Sequence, residues 1–236
     1  FVDEKNQNIS ASISQLDNKK IEKFSFKNKE EINNAISSIN KKKFQITDIS
    51  SKIVNRNPSG PFTTSTLQQT ASSRLGFGAS RTMQIAQKLY QGIEIEGETI
   101  GLITYMRTDG TNLSKDAISD FRNYIKKEIG SEYLPENALN YSGKKAKNAQ
   151  EAHEAIRPTD IIRTPQSVKK YLSPDQNKLY QLIWSRSLSS QMESAKFDRN
   201  TITVSSENSD TICKASGSVL KFDGFLKVYN NQNKDD

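Results

Sequence analysis

The stretch LITYMRTDG at residues 102–110 joins a predicted strand, TIGLITY, to a predicted helix. Residues i and i+2 of a strand point to the same side, so Tyr105 and Arg107 could face one phosphate while Met106 faces the core. A phenol ionises only near about pH 10 and needs help to attack, and a guanidinium can offer paired donors to the phosphate oxygens. A half-buried packing tyrosine beside a solvated turn is the alternative.

The helix after this stretch is predicted to begin at Ser114 and to end at Gly130. Unpaired N–H groups at its N-terminus would favour an anion near Thr108 and Asp109 in the preceding turn. The segment before the strand, IEIEGET, is predicted to be an acidic loop. The motif therefore combines a possible nucleophile, a cation and a helix N-terminus.

Two further helices are predicted upstream, joined by the short turn GFGAS. The first covers residues 64–75 and ends at Gly76, and the second, RTMQIAQKLYQG, begins at Ser80 and ends at Gly92. Spacing predicts one apolar face on each, formed by Leu67, Ala71 and Leu75 in the first and by Met83, Ala86 and Tyr90 in the second. Such helix pairs occur in many proteins, so this one does not by itself indicate DNA binding.

The two ends of the chain are predicted to be rich in strands, at FVDEKNQNISASISQL, KFQITDISSKIV, TITVSS, TICKASGSVL and FLKVY. The second of these is expected to turn Phe44, Ile46 and either Ile49 or Ile53 inward. A helix is predicted at NKEEINNAISSIN, where Asn28 and Glu31 are spaced as a capping box and Ile32, Ala35, Ile36 and Ile39 share one helical face. Another is predicted from Ser173 onward, with Leu179, Leu182, Ile183 and Leu188 inward.

This order predicts an α+β fold. Residues 1–63 and 191–236 would form a discontinuous β-rich domain, and residues 64–190 would form an inserted, mostly helical domain.

Composition narrows the class of protein. The chain has 236 residues, a net charge of +7, one cysteine (Cys213) and one histidine (His153). An internal disulfide and a zinc site built from cysteine and histidine are therefore excluded, and Cys213 is predicted to be a buried strand residue. With no apolar run of membrane length, we expect a cytoplasmic protein. The positive charge permits DNA binding without demonstrating it.

A second group of candidate residues lies in EAHEAIRP at residues 151–158, predicted as a short helix or turn closed by Pro158. In a helical turn Arg157 would fall on the same side as His153, and the two could meet a phosphate oxygen. A surface histidine between two glutamates is the alternative interpretation.

Three longer motifs, in this order, resemble the bacterial DNA topoisomerase I family, the type IA topoisomerases: PFTTSTLQQTASSRLGFG at 61–78, GLITYMRTDGTNLS at 101–114 and QEAHEAIRPTD at 150–160. The resemblance continues through KLYQLIWSRSLSSQM and FDGFLKVY and so spans most of the chain. It implies a central gate region with a discontinuous β-rich arch. Gly110 departs from the family, which commonly has serine there, and could loosen the turn.

The resemblance also implies roles for residues. Tyr105 would attack a phosphate of single-stranded DNA to give a 5′-phosphotyrosyl link, Arg107 would contact the scissile phosphate, and His153 would assist. Other expected DNA contacts are Thr108, Asp109, Arg157 and Arg74. The cycle would relax negatively supercoiled DNA without ATP.

The family binds magnesium in a toprim domain with a D-x-D motif, which this chain lacks. We therefore expect Mg²⁺ to be bound outside this chain, by the remaining domains of a monomeric parent enzyme, and the chain alone to be inactive. Two other hypotheses remain open: a noncovalent single-stranded DNA-binding module, and a structural or protein-interaction domain.

Overall fold

The computed structural model describes Phe1, residues 8–141 and residues 154–229. The chain divides into two compact units, each built from two separate stretches of sequence. One unit contains residues 1–55 and 196–222, and the other contains residues 56–195 and 223–236. The predicted division placed its bounds at other residues, and the domain assignment stays a prediction.

The described residues form an α+β fold, as predicted. The helices are α1 Lys29–Asn40, α2 Thr64–Leu75, α3 Ala79–Gln91, α4 Lys115–Tyr124, α5 Pro165–Val168 and α6 Pro174–Ser189. The strands are β1 Ser12–Leu16, β2 Lys19–Lys20, β3 Phe44–Arg56, β4 Ile93–Ile95, β5 Glu98–Ile100, β6 Ala195–Ser206 and β7 Ile212–Phe222. A π-helical turn, Ile125–Ile129, continues α4 to Gly130.

The first unit carries a five-stranded antiparallel sheet in the order β2–β1–β7–β6–β3. Its central strand, β7, pairs with both neighbours, so that Cys213 lies opposite Ile13 of β1 and Val204 of β6. Cys213 is buried, which confirms the prediction for this residue. The sheet therefore joins strands from both ends of the chain.

Several residues of this unit that were predicted to face inward are exposed. Ile46, Ile49 and Ile53 of the edge strand β3 are 55%, 67% and 75% exposed, and Ile32 and Ile36 of α1 are also exposed. The inward prediction was wrong for these side chains. Apolar spacing identifies a face of a strand or helix, but it does not tell whether another layer covers that face.

Side-chain caps begin five of the helices, and in each the capping oxygen accepts a hydrogen bond from the amide three residues later. The capping residues are Asn28, Thr63, Ser114, Thr164 and Ser173. The caps at Asn28, Ser114 and Ser173 confirm the prediction. α3 begins at Ala79 without a side-chain cap, so the predicted start at Ser80 was wrong.

The pair of helices α2 and α3 is confirmed. Gly76 ends α2 with φ +67°, in the left-handed region where glycine is unstrained. The face predicted for α3 was right for Ala86 and wrong for Met83 and Tyr90. Because α3 packs against both α2 and α6, its buried residues are Thr82, Ile85, Ala86 and Leu89. Tyr90, predicted to lie inward, is 39% exposed.

Four local predictions need correction. The acidic stretch after α3 is a hairpin of β4 and β5, turning at Glu96 and Gly97. β5 ends at Ile100, so the predicted strand does not reach Tyr105, and FLKVY contains the 3₁₀ helix Gly224–Lys227 instead of a strand. Residues 154–158 are not helical; they form single bridges in which Ile156 pairs with Phe62.

The core of the second unit centres on α6, whose predicted inward leucine and isoleucine side chains are all buried. The Trp184 Nε1 group donates to the Ile161 carbonyl oxygen at 3.0 Å, and the Tyr180 hydroxyl donates to the Arg163 carbonyl oxygen at 2.6 Å. Within the described ranges, no helix combines the length and apolar character needed to cross a membrane.

Candidate active site

Tyr105 lies on an irregular segment that follows β5, and its side chain is 49% exposed. Its ring contacts the ring of Tyr90 edge to face, with centroids 5.3 Å apart and planes inclined by 63°. The next residue, Met106, is buried, and Arg107 is exposed. Tyr105 and Arg107 therefore both face solvent, as predicted, although the backbone between them is not a strand.

The start of α2 holds the backbone on the C-terminal side of Tyr105 through Thr64. The Thr64 hydroxyl donates to the Met106 carbonyl oxygen at 2.7 Å and accepts from the Thr108 amide at 2.8 Å. The Thr64 amide donates to the Thr108 carbonyl oxygen at 2.9 Å. One residue of α2 thus satisfies three backbone groups of the segment that carries the tyrosine.

A second threonine holds the backbone on the N-terminal side. The Thr104 hydroxyl donates to the Ala155 carbonyl oxygen at 2.7 Å and accepts from the Arg157 amide at 3.0 Å. The Thr104 amide donates to the Arg157 carbonyl oxygen at 2.9 Å. Tyr105 is therefore presented between two anchored points, an arrangement that limits the positions its hydroxyl can reach.

Arg107 lines two adjoining clefts. The first, of about 520 Å³, is formed with the first turn of α2 and with Thr108 and Asp109. The second, of about 890 Å³, runs along α3 and includes the cationic side chains Arg81 and Lys88. Because a helix N-terminus carries partial positive charge, α2 and Arg107 together favour an anion in the first cleft.

The N-terminus of α4, predicted to be available to an anion, is already occupied by a carboxylate. The Ser114 amide donates to Oε1 of Glu154 at 2.8 Å. Arg157 donates to the same carboxylate through Nε at 2.6 Å and Nη2 at 3.1 Å, and its Nη1 donates to the Pro158 carbonyl oxygen. The Ser114 amide, predicted to be unpaired, is therefore paired with Glu154. The helix N-terminus that lines a cleft together with Arg107 is that of α2.

The Glu154 carboxylate is held in its charged form. Burial raises the pKa of Glu154, but the hydrogen bonds from Arg157 and the Ser114 amide outweigh it and leave this pKa below its ordinary value. Arg157 is mostly buried in the ion pair. Its position gives it a part in holding the 154–158 segment, and its contact with DNA stays a prediction.

Comparison with known proteins identifies the family. A sequence-family profile described as DNA topoisomerase matches residues 1–236. DNA topoisomerase 1 of Rickettsia typhi is 49% identical over 224 residues, which make up 95% of this chain and 29% of that protein. This chain belongs to the bacterial DNA topoisomerase I family. DNA topoisomerase 1 of Haemophilus influenzae is 46% identical over 223 residues, covering 94% of the chain and 24% of that protein.

A solved topoisomerase I has the same fold. The full-length topoisomerase I from Thermotoga maritima matches 95% of this chain with a TM-score of 0.75 and 36% identity, and the match covers 34% of that structure. The chain also spans only part of its other relatives, such as 29% of the length of the Rickettsia typhi protein. What a complete topoisomerase I does is therefore a proposal for this chain.

In this topoisomerase I chain, a side-chain hydrogen bond holds the turn after Arg107. Thr108 is buried and its hydroxyl accepts from the Gly110 amide at 3.0 Å, while Asp109 is exposed. Gly110 does not have a positive φ, so the turn does not require glycine at this position. Binding of DNA by Thr108 and Asp109 stays a prediction.

One predicted site residue, Arg74, is not brought to this cluster. Arg74 lies in the last turn of α2, roughly 15 Å along the helix from Thr64 at 1.5 Å per residue. Its guanidinium lies over the Tyr229 ring, 4.3 Å from the ring centroid. His153 lies outside the described residues, and its role stays a prediction.

Four residues that build the site were not predicted from the sequence: Thr64, Thr104, Glu154 and Tyr90. The two threonines act through hydrogen bonds to distant backbone, which leave no periodic signal in the sequence. Thr64 directly follows the capping residue Thr63, so its position in the first turn of a helix was predictable from the sequence. Tyr90 was assigned to the core because its spacing matched an apolar face.

Across the described parts of this topoisomerase I chain, no three His, Cys, Asp or Glu side chains gather closely enough to hold a metal ion. The described residues of the chain therefore do not fit a magnesium site. Magnesium binding elsewhere in the enzyme stays a proposal.

Proposed function

We propose that Tyr105 is the nucleophile of a DNA topoisomerase I and that this chain is part of the enzyme's gate. The observation that carries the proposal is one exposed tyrosine presented between two backbone anchors, Thr64 and Thr104, next to Arg107. Membership of the topoisomerase I family supports the same role.

The proposed reaction is a transesterification. The Tyr105 Oη attacks a backbone phosphorus of single-stranded DNA, forming an Oη–P bond while the bond from phosphorus to the 3′ oxygen of the preceding nucleotide breaks. The phenol proton leaves to solvent or a base, and the 3′ oxygen takes up a proton. The 5′-phosphotyrosyl link keeps the bond energy, so the 3′ hydroxyl can reseal the strand without ATP.

Arg107 would stabilise the negative charge that develops on the phosphate oxygens during attack. Its guanidinium offers paired donors, and the first turn of α2 adds a partial positive charge on the other side of the first cleft. Loss of one such donor typically costs about 100-fold in rate. Arg107→Ala should therefore lower the cleavage rate by about that factor. His153, Thr108, Asp109, Arg157 and Arg74 are candidate DNA contacts.

We further propose that residues 1–63 and 191–236 form a discontinuous β-rich arch and that residues 64–190 form the helical domain inserted into it. With the cut 5′ end held on Tyr105, one strand would pass through the gap, and negative supercoils would relax. The partners would be DNA and the remaining domains of a monomeric, cytoplasmic enzyme.

Magnesium would be held by those remaining domains. The chain alone is then expected not to relax supercoiled DNA, and an agarose-gel relaxation assay on the chain with magnesium tests this expectation. Relaxation by the chain alone would contradict it.

The nucleophile is tested by Tyr105→Phe in the full-length enzyme. The variant should form no covalent DNA adduct on a denaturing gel while binding a single-stranded oligonucleotide within about twofold of wild type. Tyr171→Phe is a matched control, since the Tyr171 hydroxyl donates to Oε1 of the exposed Glu96 at 3.0 Å and has no part in the Tyr105 segment. An adduct with Tyr105→Phe would refute the assignment. Tight binding by the wild type without any adduct would favour the noncovalent DNA-binding module.

A further inference from the structure

Tyr90, in the last turn of α3, makes the ring contact with Tyr105. Both rings are about half exposed, at 39% and 49%. Burial in the core therefore does not explain why the two rings meet. The contact instead depends on how the chain returns from α3 to Tyr105.

The return path brings the Tyr105 segment close against the end of α3. After α3 the chain forms the β4–β5 hairpin, whose turn residues Glu96 and Gly97 both have positive φ, and comes back at Gly101. A Cβ atom at Gly101 would lie 2.7 Å from the Tyr90 carbonyl oxygen, too close for any other residue without a shift. The Leu102 amide then donates to the Leu89 carbonyl oxygen at 2.8 Å.

An edge-to-face contact restrains an aromatic side chain that is otherwise free to change rotamer. The Thr64 and Thr104 hydrogen bonds fix the backbone beside Tyr105, but they do not act on its ring. The Tyr90 ring supplies a contact on the side chain itself. The reacting oxygen sits at the end of that ring, so a rotamer change would displace it from the phosphate.

We propose that Tyr90 is a positioning residue for the nucleophile, and that Gly101 permits the close approach on which the contact depends. The proposal rests on the proposed function of Tyr105. Tyr90 holds the Tyr105 ring against the end of α3, and it acts through its ring rather than its hydroxyl. Removing the ring should slow DNA cleavage about fivefold, the size expected for loss of one aromatic pair.

The test compares Tyr90→Leu with Tyr90→Phe in the full-length enzyme. Single-turnover cleavage of a single-stranded oligonucleotide by Tyr90→Leu should be about fivefold slower than by wild type. The cleavage rate of Tyr90→Phe should stay within about twofold of wild type. The dissociation constant for the oligonucleotide should stay within twofold in both variants. Phe24→Leu, at a highly exposed aromatic residue of the first unit, is the control for loss of a ring and should have no effect.

Three outcomes would overturn the proposal. They are cleavage by Tyr90→Leu at the wild-type rate, cleavage by Tyr90→Phe as slow as that by Tyr90→Leu, and weaker DNA binding by Tyr90→Leu without slower cleavage. The last result would make Tyr90 a stacking surface for a base. A thermal melt of Tyr90→Leu close to that of wild type excludes a folding defect as the cause of slow cleavage.

A measurement on the 236-residue chain separates this proposal from the role of Tyr105. With ¹³C-labelled tyrosine rings, the Tyr105 ring resonances should shift in Tyr90→Leu and remain near their wild-type positions in Tyr90→Phe. Unchanged resonances in Tyr90→Leu would refute the contact even if Tyr105 is the nucleophile. An adduct retained by Tyr105→Phe would refute the nucleophile and leave the contact intact.

Discussion

Replacing Thr64 with valine tests whether α2 holds the segment that carries Tyr105. Valine keeps the shape of the side chain but removes the hydroxyl that donates to the Met106 carbonyl oxygen at 2.7 Å and accepts from the Thr108 amide at 2.8 Å. Met106 and Thr108 are both buried, so water replaces the lost partner poorly. At roughly 1–1.5 kcal/mol for each group, the free energy of unfolding should fall by about 2–3 kcal/mol.

Urea unfolding of the chain, followed by circular dichroism, measures this loss. Thr64→Ser keeps the hydroxyl and should restore most of the stability. Thr70→Val makes the same change farther along α2, away from the Tyr105 segment, and should alter the free energy of unfolding by less than about 0.5 kcal/mol. In the full-length enzyme, Thr64→Val should also slow adduct formation by at least roughly tenfold, because the nucleophile is less well placed. Equal stabilities for Thr64→Val and Thr70→Val would refute the reasoning.

Three further predictions concern charge and the turn. Glu154→Gln should lower the free energy of unfolding by about 2 kcal/mol in urea, because it leaves the mostly buried Arg157 without its counter-charge; wild-type stability would contradict this. Hydrogen bonds, first that from Ser206 and then that from Lys42, lower the pKa of Asp210 from 3.8 to about 2. The stability from this group should therefore be complete above about pH 4 and be lost as the pH falls toward 2; Asp210→Asn should remove that part of the pH dependence of the urea midpoint. Gly110→Ser should change the adduct rate by less than twofold, since the backbone there has no positive φ, and a tenfold loss would count against this account.

Helix positions could be predicted from the sequence because their signals are local. Ser173 and Ser114 cap helices where the sequence placed caps, and Gly76 ends α2 in the left-handed conformation that favours glycine. The side that a helix buries was less predictable. In α3, the neighbours α2 and α6 decide which residues are covered, so Ile85 is buried and Tyr90 is not.

The candidate site was predicted only in part. The short motif predicted Met106 in the core with Tyr105 and Arg107 turned away from it, and in the structure Met106 is buried and the other two are exposed. That Tyr105 and Arg107 meet one phosphate stays a prediction. What holds the tyrosine could not be predicted, because Thr64 and Thr104 bond to backbone 42–53 residues away in sequence. The start of α4 was predicted to be open to an anion, but the Ser114 amide there already donates to the carboxylate of Glu154. The start of α2, which was not predicted for this role, lines a cleft with Arg107.

The most direct test of the central claim is to identify the residue that becomes attached to DNA. The full-length enzyme would be incubated with a single-stranded oligonucleotide, trapped by denaturation, digested and analysed by tandem mass spectrometry. We expect a nucleotide joined through its 5′ phosphate to Oη of Tyr105, in the peptide that contains Met106 and Arg107. A nucleotide on any other residue, or cleaved DNA with no covalent attachment, would contradict the account.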